Sequence, residues 1–315
     1  MPAVEKPAVL VVQPMLLRMQ PELEALGARM VVGWDAPAED LAQVRALLHF
    51  GPVTREQTAR MPKLGLIAVI SAGYDGIDLD WCRARGVAVT HSRGVNADDV
   101  ADHALGLLLA AWRGIVSGDR FVREGRWADE RQVQGSTLTG RRVGIVGLGH
   151  IGLAAARRVE AFGMSVAWWG PNPKPAPWPR AESVLALAED SDILVVACRA
   201  AASNVGLISR EVIEAVGPKG LIVNVARGSV VDEDALIAAL RSGRLGNAAL
   251  DVFEQEPTPA DRWAGLPGVV LTPHSAGGAV ETVPRMMALA LENIRLHLAG
   301  EPLTAEVPAQ TSSRP

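Results

Sequence analysis

The stretch Gly147-Leu148-Gly149-His150-Ile151-Gly152 decides the fold that this sequence predicts. The apolar run at residues 142–146 comes directly before it and is typical of a buried parallel strand. Residues 153–159 follow it with helix-forming composition. Strand, glycine turn and helix together are the context in which the pattern G-x-G-x-x-G binds a dinucleotide. Because 31 glycines make chance matches common, the prediction depends on this context.

Each glycine of the motif has its own predicted role. Gly147 permits the tight turn, Gly149 lets the backbone approach a pyrophosphate, and Gly152 lets helix and strand pack closely. The N-terminus of the helix offers free N–H groups and a partial positive charge to the phosphates. We therefore predict that these glycines, with His150 and Ile151, bind the cofactor; the alternative is a glycine turn that only packs.

The composition limits the class of protein. At 315 residues the chain exceeds the size at which one hydrophobic core stops growing, so we expect two domains. A net charge of −4, with basic residues spread along the chain, gives no electrostatic reason to expect nucleic acid or an anionic membrane as a partner. Cys82 and Cys198 are the only cysteines, which excludes a disulfide framework and a cysteine metal site. Without the pattern of a signal peptide or a spanning segment, the protein is expected in the cytoplasm.

Apolar runs alternate with helical patterns along the chain, which is typical of an α/β fold. A first unit precedes the glycine motif, and a second unit, richer in strands, begins with it. Long helices are predicted over residues 96–117 and 279–298. The predicted fold class is α/β with two Rossmann-like, doubly wound parallel sheets. The predicted strands cover residues 8–12, 46–48, 66–70 and 87–90, and then 143–146, 165–169, 193–197, 221–225, 248–252 and 269–271.

Three polar residues follow strands of the second unit: Arg227, Glu256 and His274. Ligands of open α/β sheets bind at the carboxyl ends of strands, so these side chains can converge on one crevice. An arginine can hold a carboxylate and polarise a carbonyl, and a histidine can exchange the hydroxyl proton. A carboxylate beside the histidine favours the imidazolium and fixes the ring. Each residue alone is more often a surface or turn residue; their shared position favours a carbonyl-reducing site.

Three segments around these residues resemble the signature of the D-isomer-specific 2-hydroxyacid dehydrogenases. They are residues 223–232, residues 249–257 and Thr272-Pro273-His274. The resemblance extends over about residues 70–298 and implies that Arg227, Glu256 and His274 are catalytic, with Arg227 also binding substrate. It implies NAD(P)H-dependent reduction of a 2-keto acid such as glyoxylate, hydroxypyruvate or a bulkier 2-keto acid, as in the glyoxylate/hydroxypyruvate reductases.

The same resemblance assigns roles to residues outside the catalytic set. Ala226 and Asp251 would bind the cofactor, Asp251 through the nicotinamide carboxamide, with an ion pair inside the sheet as the alternative. Residues 71–75 would form the substrate loop, in which N–H groups of Ala72 and Gly73 meet the substrate carboxylate. Gly73 serving only a tight turn is the alternative there.

The resemblance also implies a discontinuous architecture. The substrate domain would comprise residues 1–95 and 279–315, the cofactor domain residues 96–278, and the active site would lie in the cleft. A homodimer is expected, with an arm at residues 118–139 that reaches the partner and with Trp127 or a neighbouring residue lining the partner's pocket.

Gly170 departs from the family pattern. With residues 165–169 as the second strand of the unit, it stands where an acid would bind both ribose hydroxyls. Since such an acid repels a 2′-phosphate, its absence favours NADP(H), and NAD(H) stays open. Asn172, Lys174 and Arg199 are the candidates to hold that phosphate, with ordinary solvated side chains as the alternative.

Two other functions stay open at the level of the sequence. A relative with another hydride donor, such as a formate dehydrogenase, is disfavoured because those relatives place Gln where Glu256 stands. A non-enzymatic dinucleotide sensor, like the corepressors that resemble this family, is compatible with an intact Arg, Glu and His set. No basic or low-complexity segment of this sequence supports the sensor.

Overall fold

Two parallel sheets form the frame of the protein, which a computed structural model describes over residues 6–131 and 135–307. Residues 132–134 of the predicted arm, and residues 1–5 and 308–315 of the predicted substrate domain, lie outside this description. Contacts divide the chain into a first unit, with the residues up to Asn96 and from Val280 onward, and a second unit, Ala97–Ala279. The boundaries expected from the sequence differ from these by one residue.

The strands and helices are short and alternate along the chain. In the first unit they are β1 (Ala8–Val11), α1 (Gln20–Ala25), β2 (Arg29–Val32), α2 (Ala38–Leu41), β3 (Val44–His49), α3 (Arg55–Ala59), β4 (Leu66–Val69), α4 (Leu79–Ala84), β5 (Ala88–Thr90) and, after the second unit, α12 (Thr282–Ala299). In the second unit they are α5 (Ala97–Trp112), α6 (Ile115–Arg123), β6 (Arg142–Val146), α7 (His150–Ala161), β7 (Ser165–Trp169), α8 (Val184–Glu189), β8 (Ile193–Val196), α9 (Arg210–Val216), β9 (Leu221–Asn224), α10 (Glu233–Arg241), β10 (Asn247–Leu250), α11 (Ala260–Trp263) and β11 (Val269–Leu271).

The first sheet has the strand order β2-β1-β3-β4-β5, with every pair parallel. Because side chains alternate along a strand, Leu10 packs into one buried cluster and Val9 into another on the opposite face. Met286 and Ile294 of α12 belong to the Val9 cluster. Helix α12, which follows the second unit in the chain, therefore completes this core of the first unit.

The second sheet has the order β11-β10-β9-β8-β6-β7, again with every pair parallel. The chain order reverses at β6, so the crevice outside the carboxyl ends of β6 and β8 is the topological switch point. Both faces of this sheet are buried: Ile193 and Val195 of β8 pack into one cluster, and Leu194 and Val196 into the other. The glycine motif follows β6 and therefore begins at the switch point.

The predicted fold class, α/β with two doubly wound parallel sheets, is confirmed. The helix expected over residues 96–117 is wrong at its end: it stops at Trp112. Gly114 then takes a left-handed backbone (φ 64°) and α6 begins at Ile115, so the start of the predicted arm at residues 118–139 is helical. The strand β2 was not predicted, because Val31 is the one buried residue of its four.

Helix α5 packs Val100, Ala104 and Leu108 into a core cluster of the second unit. Within the described residues, no single helix has the length and hydropathy needed to cross a membrane. Helices α5 and α6 meet those criteria only when they are taken together, across a bend of 59°.

Candidate active site

The glycine loop lies against the chain that follows β8. A Cβ on Gly147 would stand 2.5 Å from the Cα of Cys198, and the backbone there is left-handed (φ 92°), so glycine is required. A Cβ on Gly152 would stand 2.0 Å from the carbonyl oxygen of Gly147. The first and third glycines therefore allow the loop to fold tightly between the neighbouring segment and its own helix.

Gly149 differs from the other two, because a Cβ on it would meet no atom within 4 Å. It is the N-cap of α7, and the first helical hydrogen bond runs from Leu153 N to Gly149 O at 2.9 Å. The N–H groups of His150, Ile151 and Gly152 belong to the first turn, where donors have no partner inside the helix. Open space before the N-terminus of a 12-residue helix suits a pyrophosphate. The loop thus fits the dinucleotide that the sequence predicts.

Cys198 packs on this loop as an un-ionised thiol. Burial raises its pKa to about 11. Its Sγ lies 3.9 Å from Nδ2 of Asn204. Since the thiolate is the reactive form of cysteine, the side chain contributes packing at neutral pH rather than a nucleophile.

Gly170 follows β7 directly, and the proline-rich segment after it returns to the same place. Trp168 N donates to Pro179 O at 3.0 Å, and Ala181 N donates to Trp168 O at 2.8 Å. Arg180 therefore lies beside Gly170 and donates from Nη2 to its carbonyl oxygen at 2.8 Å. Arg180 was not predicted, because nothing in the local sequence shows that this loop folds back along the strand.

The three predicted phosphate ligands lie in different places. Nζ of Lys174 donates to the carbonyl oxygen of Leu148, so its ammonium group contacts the glycine loop. Asn172 is exposed in the loop after β7. Arg199 is exposed after β8, and its carbonyl oxygen accepts from Asn204 Nδ2 at 2.8 Å. Of these three predicted ligands, Lys174 is the one whose side chain contacts the glycine loop.

Arg227 follows β9 in a turn that Asn224 fixes. The side chain of Asn224, which is 1% exposed, accepts from Ala226 N and donates to Arg227 O, both at 3.0 Å. Nη1 of Arg227 donates to Ala226 O at 2.7 Å. Ala226 is thus part of the turn that carries the arginine. Asn224 was not predicted, although an asparagine at the end of an apolar strand is a signal of such a buried turn contact.

Glu256 and His274 are hydrogen-bonded, with Nδ1 of His274 2.6 Å from Oε2 of Glu256. The other carboxylate oxygen accepts from Phe253 N at 3.0 Å, so both oxygens are held. His274 has a left-handed backbone (φ 50°), which is uncommon for a residue other than glycine. Because Nδ1 is used on the carboxylate, Nε2 is the ring nitrogen left for a substrate.

Asp251 holds the loop that carries His274. Its carboxylate is 1% exposed, and Oδ1 accepts from the Thr272 hydroxyl at 2.6 Å and from Ser275 N at 2.9 Å. Oδ2 accepts from Ala276 N at 3.0 Å. The contact of Asp251 with a nicotinamide carboxamide stays a prediction, and what the structure shows is the anchoring of this loop.

His103 of α5 completes that anchor and was not predicted. Its Nε2 lies 2.9 Å from Oγ1 of Thr272 and 3.4 Å from Oδ1 of Asp251. The Thr272 hydroxyl has one proton and gives it to the carboxylate, which only accepts. The contact with His103 therefore requires a proton on Nε2 of that ring.

The predicted substrate loop, residues 71–75, follows β4 in the first unit. Ser71 Oγ donates to Gly73 O at 2.7 Å, and Nδ1 of His91 lies 2.7 Å from Ala72 O. These contacts hold the carbonyl groups of the loop. Within the part of the chain that the structure describes, no hydrogen bond from the N–H of Ala72 or Gly73 is found. Two adjacent backbone donors of this kind suit a carboxylate.

The sequence and the fold are each similar to those of known proteins. The profile of the D-isomer specific 2-hydroxyacid dehydrogenase, NAD binding domain, matches residues 105–276. The chain is 42% identical over 286 residues to a hydroxyphenylpyruvate reductase of Plectranthus scutellarioides, across 90% of this chain and 87% of that protein. It is 42% identical over 248 residues to glyoxylate/hydroxypyruvate reductase A of Arabidopsis thaliana, across 78% of this chain and 79% of that one. A crystal structure of an NADPH-dependent glyoxylate/hydroxypyruvate reductase from Sinorhizobium meliloti, in complex with NADP and malonate, superposes with a TM-score of 0.89 at 35% identity, covering 96% of this chain and 97% of that chain.

Proposed function

Because the chain belongs to the D-isomer-specific 2-hydroxyacid dehydrogenase family, we propose that it reduces a small 2-keto acid to the D-2-hydroxy acid. It is an oxidoreductase of the kind that uses a nicotinamide dinucleotide. The observation that carries the proposal is the hydrogen bond between His274 and Glu256 beyond the carboxyl ends of β10 and β11. Glyoxylate, hydroxypyruvate and the bulkier hydroxyphenylpyruvate are the substrates to test, since the named relatives are reductases of these acids. The alternatives, a sensor without turnover and a relative with another hydride donor, are not favoured.

The proton in this reaction comes from His274. When bound, the nicotinamide supplies a hydride to the carbonyl carbon of the substrate. With Nδ1 held by Glu256, Nε2 of His274 donates its proton to the carbonyl oxygen, which becomes the hydroxyl. The carboxylate of Glu256 stabilises the positive charge of the ring that gives this proton. One hydride and one proton are consumed for each substrate molecule, which balances the reduction.

Arg227 orients the substrate. Its guanidinium can bind the substrate carboxylate with two parallel hydrogen bonds and polarise the neighbouring carbonyl. The turn that carries it is fixed by the buried Asn224, so the side chain starts from a rigid backbone. The N–H groups of Ala72 and Gly73 stay predicted donors to a substrate carboxylate.

NADPH is the cofactor that we propose in preference to NADH. Gly170 places no carboxylate after β7, and Arg180 brings a guanidinium to the same point. Lys174 adds an ammonium group at the glycine loop. A 2′-phosphate is attracted by these cations, whereas an acid at position 170 would repel it. Asn172 and Arg199 stay candidates for the same phosphate.

A homodimer in the cytoplasm is the assembly that we propose, with neither nucleic acid nor a membrane as partner. Helix α6 and the turn after it carry three large apolar side chains that are exposed: Ile115 (56%), Val122 (54%) and Trp127 (71%). Large apolar side chains exposed on one segment support an interface with another copy. Light scattering after size-exclusion chromatography tests this, since a dimer has twice the chain mass of 33.3 kDa.

A steady-state panel tests the function. The purified protein is assayed with glyoxylate, hydroxypyruvate and 4-hydroxyphenylpyruvate, each with NADPH and with NADH, and cofactor binding is measured by calorimetry. We expect turnover with at least one acid and a higher kcat/KM with NADPH. Cofactor binding without turnover of any acid would contradict the reductase and favour the sensor.

A further inference from the structure

We propose that Glu233 is a positioning residue for the carboxylate of Glu256. It acts by holding the peptide group between Phe253 and Glu254, which lies at the start of the loop that leads to Glu256. This inference rests on the proposed function, because that function gives Glu256 its role. Glu233 is hydrogen-bonded to neither Glu256 nor His274, so its effect on this pair is indirect.

The carboxylate of Glu233 is buried, with 3% of the residue exposed, although it is on the first turn of α10. Oε1 accepts from the backbone N–H of Glu254, and Oε2 lies 3.1 Å from Nε of Arg262. A buried carboxylate is costly unless it is paired and hydrogen-bonded. Both oxygens of Glu233 therefore accept a hydrogen bond, one from the guanidinium of Arg262 and one from the backbone of the loop that leads to Glu256.

The same peptide group is packed tightly against Gly228. A Cβ on Gly228 would stand 1.8 Å from the carbonyl carbon of Phe253 and 2.1 Å from N of Glu254. Gly228 follows Arg227 in the chain, so the turn that carries the arginine is in direct contact with the loop that carries Glu256. The peptide thus contacts the backbone of Gly228 and donates to the carboxylate of Glu233.

Phe253, whose carbonyl group is part of the held peptide, is connected to the proton donor by two hydrogen bonds. Phe253 N donates to Oε1 of Glu256 at 3.0 Å, and Oε2 of Glu256 lies 2.6 Å from Nδ1 of His274. The Phe253 ring also packs edge-on against Trp263, with 5.6 Å between centroids. The N–H of Phe253 belongs to the preceding peptide group, so a shift of the 253–254 peptide moves Phe253 and with it the donor that sets the angle of the Glu256 carboxylate.

Asp234 provides a matched control beside Glu233. Its Oδ1 lies 2.9 Å from Nη2 of Arg262, so both acids pair with the same guanidinium. The Asp234 side chain is 86% exposed, whereas that of Glu233 is 3% exposed. Neutralising Asp234 thus removes a charge from the same ion-pair network but leaves the hydrogen bond from Glu254 N to Glu233 in place.

The experiment separates hydrogen-bond reach from charge. Glu233→Gln keeps the length and an acceptor oxygen for the Glu254 N–H, but it loses the charge and places its NH2 group opposite Nε of Arg262, so it gives up the contact with that arginine. Glu233→Asp keeps the charge but is one methylene shorter, so its oxygen withdraws from that N–H. Each variant, with Glu233→Ala and Asp234→Asn, is assayed as the full chain with a 2-keto acid that the wild type reduces.

We expect Glu233→Asp and Glu233→Ala to lower kcat by up to roughly 10²-fold, the effect of misplacing a catalytic group by about 1 Å. The KM for NADPH should not change, because the glycine loop is untouched. Glu233→Gln should keep most of kcat, and Asp234→Asn should match the wild type. A higher kcat for Glu233→Asp than for Glu233→Gln would overturn the proposal and assign Glu233 a role through charge alone.

A second measurement does not depend on turnover. The proton on Nδ1 of His274 is observed by NMR, and its resonance reports the hydrogen bond to Glu256. We expect it to shift in Glu233→Asp and to stay in place in Glu233→Gln and Asp234→Asn; an unchanged resonance in Glu233→Asp contradicts the inference. If the wild type reduces no 2-keto acid, the proposed function fails while this resonance still decides the role of Glu233.

Discussion

The backbone of Cys198 occupies the space that a side chain on Gly147 would need. A Cβ at that position would stand 2.5 Å from Cα and 2.7 Å from N of Cys198, and backbone atoms cannot rotate away as a side chain can. The start of the glycine loop is thus fixed against the segment after β8. Gly149, two residues later, has open space where its Cβ would be.

This contrast predicts different outcomes for two substitutions to alanine. Gly147→Ala should lower the free energy of unfolding by about 1–3 kcal/mol, because it adds a clash and a left-handed non-glycine residue, and should weaken NADPH binding. Gly149→Ala should leave stability nearly unchanged but weaken NADPH binding, since its methyl group enters the space in which we expect the pyrophosphate to bind. Urea unfolding and calorimetric titration measure the two effects. Normal NADPH affinity in Gly149→Ala would contradict the assignment of the glycine loop as the pyrophosphate site.

His274 should be essential for turnover and dispensable for cofactor binding. Since a positioned general acid contributes roughly 10²- to 10⁴-fold, His274→Ala should lower kcat by that factor. Glu256→Gln should also lower kcat, because the charge that stabilises the imidazolium is lost. The Kd for NADPH serves as the control and should not change in either variant. Near-normal kcat in His274→Ala would show that another group supplies the proton.

Arg180 should set the preference for the phosphorylated cofactor. A hydrogen bond to a charged group contributes about 1.5–3 kcal/mol, so Arg180→Gln should lower kcat/KM for NADPH by roughly 10- to 150-fold and leave the value for NADH unchanged. Arg199→Gln, at an exposed arginine after β8, is the matched comparison. A larger loss in Arg199→Gln would transfer the phosphate contact to that residue.

Gly170→Asp should shift the preference toward NADH. The new carboxylate can accept from the ribose hydroxyls and repels a 2′-phosphate. Its Cβ would stand 3.3 Å from the Trp168 ring, so the ring must move by a few tenths of an ångström. The ratio of kcat/KM for NADH to that for NADPH should rise; an unchanged ratio would show that the cofactor is selected elsewhere.

The burial of His49 predicts how the free energy of unfolding changes with pH. The ring is 5% exposed, and it is 2.7 Å from Gln13 Nε2 through Nδ1 and 3.2 Å from Pro52 O through Nε2. Burial, partly opposed by the Pro52 carbonyl, holds the pKa of His49 below its usual value of 6.5. Below pH 6.5 the unfolded chain therefore binds more protons than the folded chain, so the free energy of unfolding falls as the pH falls through that window.

Urea unfolding between about pH 5 and pH 7.5, across the range in which histidine titrates, measures this dependence. The wild type should lose stability on acidification more steeply than His49→Gln, which has no group to protonate there. His297, whose pKa is also lowered by burial, is present in both proteins and contributes equally. Identical slopes for the two proteins would show that His49 does not carry the effect.

The strands were predictable where every residue is apolar and buried. β8 is an example: its four residues are all buried, and it ends one residue before the predicted strand does. β2 lies at the edge of its sheet and buries Val31 alone, so its sequence lacks the signal of a buried strand. Edge strands have fewer neighbours to pack against, which is why their composition says less.

The candidate site shows a similar division. Residues just past the ends of parallel strands could be predicted to converge, and the contact between Glu256 and His274 follows that rule. Arg180 could not be found this way, because it reaches Gly170 only through the path of a loop. The hydrogen bond from Glu254 N to Glu233 likewise depends on how a loop packs on α10. Periodicity and composition do not encode such paths.

The division of the first unit between both ends of the chain has a consequence for protein synthesis. The sheet face that includes Val9 is covered by Met286 and Ile294 of α12. At about 5–20 residues per second, the roughly 200 residues that separate the two parts take roughly 10–40 s to translate. The contiguous second unit can complete its core in that interval. The strands of the first unit are therefore synthesised before the helix that covers them, and their uncovered sheet face is the surface that a nascent-chain chaperone would meet in that interval.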